Sequence, residues 1–309
     1  MTIDDAFFYG VYLSQILLMS LYLPSRVLRR ARALIETYPP FEFPKLYPVP
    51  VETIERMLRL YRNLNLGLLV LGLALLAAAW VSGYTFDSAW HGGDVPVPNT
   101  YPRALVHYTF FQLLPPVLFG YWQSRYFKRM RAAARNRIRT AEIKARRLFD
   151  FVSPTLLGTA LAMYVGATVL LLVVGESPRH IAGMSVSGMS AYMLAVMTIC
   201  NIALAGCLVW LLHGRKQDPY QTHEDRARMI RLTWQGVVQA SILMSVLVGI
   251  LGALIAFDLV RYGPLCASLF VQVVYVPLTL KFLVGPVGQE NFEVYRADTN
   301  RATAVATYK

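Results

Sequence analysis

Three sets of residues in this chain have the types that chemistry requires. His91 stands between Asp87 and Asp94 in the segment TFDSAWHGGDVPVPNTYPRA (85–104). A histidine flanked by carboxylates can hold a divalent cation or move a proton near neutral pH. Three ligands in a loop that turns at Gly92-Gly93 fall short of a closed metal shell, so no metal site is expected there. His213 and His223 flank a second polar segment, with no nucleophile or acid dyad beside them. Cys200, Cys207 and Cys266 have no metal-ligand spacing and read as small buried apolar residues. His107 has no second histidine at matching depth to share a haem. The residues therefore predict a non-catalytic chain with no cofactor.

The elements that carry these residues are apolar. Seven stretches, roughly 6–24, 64–84, 105–124, 152–175, 189–213, 234–257 and 262–284, hold no Asp, Glu, Lys or Arg apart from Lys281. Each is close to the roughly 20 residues that a helix needs to cross about 30 Å of hydrocarbon. Hydrophobic residues make up 56% of the chain, above the about 45–50% usual for soluble domains. A backbone in lipid must satisfy its own hydrogen bonds. The sequence thus predicts an all-α polytopic membrane protein with seven transmembrane helices. Lys281 falls near the cytoplasmic end of the last stretch and reads as a snorkelling anchor.

Lys and Arg collect on the cytoplasmic side of membrane proteins. If Arg26, Arg29, Arg30 and Arg32 are cytoplasmic, only Arg103, Arg179 and Arg261 of the 30 Lys and Arg fall outside. This predicts an N-out, C-in arrangement. The net charge of +12 is then a topology signal, and no nucleic-acid partner is expected. Asp4 and Asp5 precede the first stretch and arginines follow it, the reverse of a secretory signal peptide. It reads as a retained signal-anchor helix, and the chain as a cell-membrane protein of a bacterial inner membrane.

Beyond the first helix a pattern recurs: basic lead-in, outward helix, external loop, returning helix. The lead-ins ETIERMLRLYRN (52–63), EIKARRLFDF (142–151) and HEDRARMIRLTW (223–234) align at Arg59-Leu60, Arg147-Leu148 and Arg231-Leu232. The expected organisation is one helix plus three helical hairpins, each lead-in being a basic amphipathic cytoplasmic extension. Its parts are the first helix (1–24), a basic and proline/aromatic strap (25–63), a first hairpin (64–151), a second (152–233), a third (234–285) and a tail (286–309). The Pro-x-acidic-x-x-basic signature of mitochondrial carriers is absent.

Within the stretches, small residues at four-residue spacing let helix backbones approach. Gly158, Ala162 and Gly166 form one such stripe; Ser241, Ser245, Gly249 and Ala253 form another. Both are expected to face other helices of this chain. Pro115, Pro116 and Pro277 should kink their helices. With Gln112 and Gln272 they outline a small polar cavity between the third and seventh stretches.

The segment ALIETYPPFEFPKLYPVPV (33–51) interleaves proline with aromatic residues. Proline fixes φ and disfavours helix in the residue before it, so the segment is extended. Tyr38, Pro39, Pro40, Phe41, Phe43, Pro44, Tyr47 and Pro48 are expected to strap the cytoplasmic mouth or dock a partner. The segment 125–147 carries Arg125, Lys128, Arg129, Arg131, Arg135, Arg137 and Arg139. Near anionic lipid each contributes about 1 kcal/mol, so anionic headgroups are the expected partner. The tail is polar and needs a support to be ordered. No charge lies deep in a stretch, which argues against proton or ion coupling. The reading these features favour is a non-catalytic integral subunit, a scaffold or accessory component, of a larger membrane assembly with other membrane subunits as partners. The alternative is a transporter or lipid-handling protein for a neutral or lipid-like substrate.

Overall fold

The computed structural model describes residues 2–83, 100–134, 149, 152–181, 184–213, 218–220, 223–283 and 292–297. These are helical apart from loops and one short hairpin, in which β1 (His180–Ile181) pairs antiparallel with β2 (Met184–Ser185). The helices are α1 (Ile3–Leu17), α2 (Leu23–Thr37), α3 (Val51–Val81), α4 (Thr100–Phe111), α5 (Leu114–Ala133), α6 (Pro154–Gly175), α7 (Val186–His213), α8 (His223–Ala256), α9 (Gly263–Phe270) and α10 (Val276–Leu283).

Local chemistry sets their ends. Thr2 caps α1: its hydroxyl accepts from Asp5 N at 3.2 Å, and Asp5 accepts from Thr2 N at 2.7 Å. α2 stops before Pro39-Pro40, and α3 starts after Pro50. The Ser153 hydroxyl accepts from Leu156 N, and Pro154 opens α6. The lead-ins 52–63 and 223–234 continue α3 and α8 as helix; 142–148 lies outside the described residues.

Among the described residues, six helices are long and apolar enough to cross a membrane: Ile3–Thr37, Val51–Val81, Pro154–Gly175, Val186–Val209, Ala227–Ala256 and Val260–Leu280. They account for six of the seven stretches. The remaining one, the third stretch (105–124), differs from expectation, being broken between α4 and α5 at Gln112-Leu113. Pro115 and Pro116 have no N–H for the carbonyls of Phe111 and Gln112, so one continuous helix cannot form.

Two other helices carry a related defect. A π-turn, Leu18–Tyr22, joins α1 to α2, with Leu23 N–H bonded to Leu18 O. A second, Val271–Tyr275, joins α9 to α10, with Val276 N–H bonded to Val271 O. Each ends two residues before a proline, Pro24 or Pro277. The proline denies its i−4 carbonyl a donor, and the i→i−5 bond takes up the mismatch.

The helices group in two. α6, α7 and α8 form a three-helix unit in which α6 against α8 is the most extensive pair. α1–α2, α3, α4–α5 and α9–α10 form the other, joined to the first through α8 and α9. In it α3 runs antiparallel to α4–α5. Leu76 and Ala79 pack with Leu105 and Tyr108, while Leu58 and Tyr61 pack with Phe119 and Trp122.

Candidate functional site

The centre of the larger group is a network of neutral polar side chains. Gln15, from the middle of the first helix, is fully buried. Its amide donates to Gln112 Oε1 at 2.7 Å and to Thr109 Oγ1 at 3.1 Å. Its own oxygen accepts from Ser268 Oγ. Gln112 in turn donates to Ser20 Oγ and to Tyr108 Oη, both at 3.1 Å. Tyr108 Oη donates to Leu68 O at 2.9 Å. On the other side, Gln272 donates to Val11 O at 2.9 Å and to Ser268 Oγ at 3.3 Å, and accepts from Ser14 Oγ at 2.8 Å. One chain of hydrogen bonds thus runs from α9–α10 through α1 to α4 and α3.

This network rests on one close approach. A Cβ at Gly72 would lie 2.3 Å from Tyr108 Oη and 2.5 Å from its Cζ. Only glycine lets the phenol ring reach the carbonyl of Leu68, one turn earlier on α3. Pro115 is buried beside the break. Gln112 and Gln272 are therefore linked, but indirectly, through Gln15 and Ser268.

Gln15 was absent from the sequence-derived set. Its signal was present, a single amide amid apolar residues with Ser14 beside it. Its partners, however, lie in α4 and α9, and no local spacing links them.

The three-helix unit has its own polar contacts. Asn201 accepts from Ser241 Oγ and donates to Met197 O at 2.9 Å. Ser245 donates to Ser241 O at 3.0 Å. A Cβ on Gly249 would meet that of Ala167 at 3.9 Å. The stripe on α8 thus faces α6 and α7, with Ala253 half-buried at its end. The stripe on α6 faces no helix among the described residues. Gly158, Ala162 and Gly166 are exposed, and a Cβ on either glycine meets nothing within 4 Å. α6 uses Ala167, Leu171 and Val174 instead, the opposite face.

At the end of the bundle where α2 and α5 finish, the strap folds into an aromatic cap. Phe43 and Leu46 are buried with Met130 of α5 and with Phe292 and Tyr295 of the tail. Tyr38 stacks on Phe292, ring centroids 4.2 Å apart, and meets Phe43 edge-on at 5.1 Å. Tyr47 donates to Tyr38 O at 2.6 Å, and Tyr126 donates to Leu46 O. Burial pushes both phenols above their ordinary pKa. The tail is tied down by Ala297 N to Glu42 O at 3.1 Å, by Tyr295 donating to Asp218, and by Arg296 over the Phe43 ring. Pro40, Pro44, Tyr47 and Pro48 also line a shallow depression of about 300 Å³ with Val49, Pro50 and Val51. Pro39 is half-buried, its carbonyl accepting from Glu42 N and Phe43 N, whereas Phe41 is left exposed.

Around the cap, Arg125, Lys128 and Arg129 point outward, and Arg131 is half-buried. Arg125 lies over Tyr121, and Arg26 over Tyr22. Arg135, Arg137, Arg139, His91, Asp87 and Asp94 lie outside the described residues. The three cysteines are unpaired, and no group of His, Cys, Asp or Glu that could hold a metal occurs among the described residues. No family model, no curated protein and no solved structure matches the chain.

Proposed function

We propose that this chain is a non-catalytic integral subunit, a scaffold or accessory component, of a larger assembly in a bacterial inner membrane. In this reading it crosses seven times, N-out and C-in, with α4–α5 as an interrupted third crossing. Antiparallel packing of α4–α5 on α3 supports that count. The orientation is supported by the arginines and lysine at the capped end.

The observation that carries the proposal is the saturated, uncharged core. Gln15, Gln112 and Gln272 spend their hydrogen bonds on one another and on Ser14, Ser20, Ser268, Thr109 and Tyr108. A core built this way satisfies its buried polar groups internally and carries no charged side chain. Two outward features give such a subunit its contacts. The exposed Gly158, Ala162 and Gly166 face is a close-packing surface that no described residue of the chain covers, and the capped end presents cations to anionic headgroups.

The test is affinity purification of the tagged chain from native membranes in mild detergent, with quantitative mass spectrometry of what accompanies it. Other membrane polypeptides at fixed ratios to the chain support the subunit role. Recovery with lipid or a small molecule alone would favour the alternative.

A further inference from the structure

The defects in three helices of the larger group coincide. Leu18 and Met19 of the first π-turn, with Leu23 at the start of α2, cluster with Val271 of the second and with Val276 and Leu280 of α10. Leu113, at the break between α4 and α5, joins the same cluster. Each defect is set by proline: Pro24, Pro115-Pro116 and Pro277. Two of them share a sequence form, LMSLYLP (18–24) and VQVVYVP (271–277), with Tyr, an aliphatic residue and Pro at the same places. α1 and α9 pack together, so the two π-turns meet at one depth.

Helices bend where the i→i−4 ladder is interrupted, and hinges are short stretches that absorb the change in φ and ψ. One such defect is ordinary in a membrane bundle. Three packed on one another define a plane. On one side lie α1, α4 and α9, with the buried set Phe8, Tyr12, Ile16, Leu105 and Leu265. On the other lie α2, α5 and α10, with the aromatic cap folded over the ends of α2 and α5. α3 has no break between Val51 and Val81. Its outer part is held to the outer halves by Leu76, Ala79 and the Tyr108–Leu68 bond, and its inner part packs on α2 and α5 through the apolar side chains of Leu58 and Tyr61, the surface over which the inner halves would slide.

We propose that these three defects are one hinge, about which the capped inner halves of α2, α5 and α10 tilt as a body against α3 and the outer halves. The Gln15–Gln112–Gln272 network lies beside the hinge plane. An amide both donates and accepts, so such a network can exchange partners during the tilt without stranding a buried group. The device would carry a change at the outer face to the cap, or the reverse. It stands independently of the subunit reading, because a lone protein could use the same motion.

Spin-label distance measurements on the full chain in lipid nanodiscs test it, with the native cysteines replaced by serine. Labels at V81C and F41C span the plane; I3C with V81C lies on the outer side, and F41C with Y121C on the inner side. All four positions are exposed. The hinge predicts a broad or two-peaked distribution for the spanning pair and single narrow peaks for the other two. P24A/P277A should collapse the spanning pair to one peak. A single narrow peak for the spanning pair in the unmodified background overturns the proposal. Two peaks that persist in P24A/P277A overturn it as well, since the motion then lies elsewhere.

Discussion

Gly72→Ala tests the packing of the polar core most sharply. The new methyl would sit 2.3 Å from Tyr108 Oη and 2.5 Å from Tyr108 Cζ, and 3.1 Å from Ile16 Cγ1. Neither helix can yield freely, because Ile16 and Tyr108 are both buried. Overpacking of this kind costs about 1–3 kcal/mol. Displacing the phenol also breaks its bonds to Leu68 O and Gln112 Nε2, at roughly 0.6 kcal/mol each within a membrane bundle. The expected loss is therefore about 2–4 kcal/mol, read as a shift in the unfolding midpoint of the purified chain in mild detergent. Partner substitutions separate the two causes. Tyr108→Phe alone removes only the hydroxyl and should cost about 1 kcal/mol. Combined with Gly72→Ala it should rescue little, because Cζ remains in the way. Tyr108→Leu removes the ring and should recover most of the Gly72→Ala loss. If Gly72→Ala proves neutral, or if Tyr108→Phe rescues it fully, the contact is not as described and the argument from close approach fails.

Other expectations follow from the same geometry. Gln15→Leu strands Gln112 Oε1 and the Ser268 hydroxyl in a dry core and should cost about 1–3 kcal/mol, whereas Gln15→Leu with Gln112→Leu should cost less than the single change; thermal midpoints decide. The cap should weaken in alkali. Tyr47 and Tyr126 have pKa values raised in the folded chain, so their stabilising contribution is complete below the unfolded value of 10.0 and is lost as pH rises beyond it. Hydrogen exchange over 38–50, corrected for the intrinsic rate, should stay flat to about pH 10 and rise above it, less steeply in Tyr126→Phe. Removing 286–309 takes Phe292 off Tyr38 and Phe43. Burial of such a ring stabilises by about 1.5–3 kcal/mol, so proteolysis within the strap should accelerate while the unfolding midpoint of the membrane helices moves little.

Much of the fold could be read from hydropathy alone, because a bilayer imposes one length and one polarity on every crossing. Hence stretches such as 152–175 and 189–213 fall within two or three residues of α6 and α7. The break at 112–113 was foreshadowed by Pro115-Pro116, although a kinked rather than a broken third stretch was expected. The π-turns were not foreseen: a proline marks where a ladder fails, but whether the helix kinks, stops or adds a residue depends on its neighbours. Tyr38, Phe43 and Tyr47 were recognisable as groups that could not stay in water, and they formed the core of the cap. That the tail would supply Phe292 and Tyr295 as their partners was not, since the pairing joins residues about as far apart as the chain allows. The small-residue stripes divided for the same reason. Spacing tells that a helix can be approached closely along one face; the stripe on α8 meets α6 and α7, while the one on α6 meets no helix among the described residues.

The central claim, that the chain works as part of a larger assembly, is tested most directly by the mass of the particle that holds it. Native mass spectrometry of the tagged chain, released from membranes in mild detergent, should give a species well above the chain's 34.8 kDa. Dissociation of that species should yield other membrane polypeptides at integer ratios. A single species at the chain's own mass, retaining lipid at most, from membranes never exposed to harsher conditions, would contradict the account.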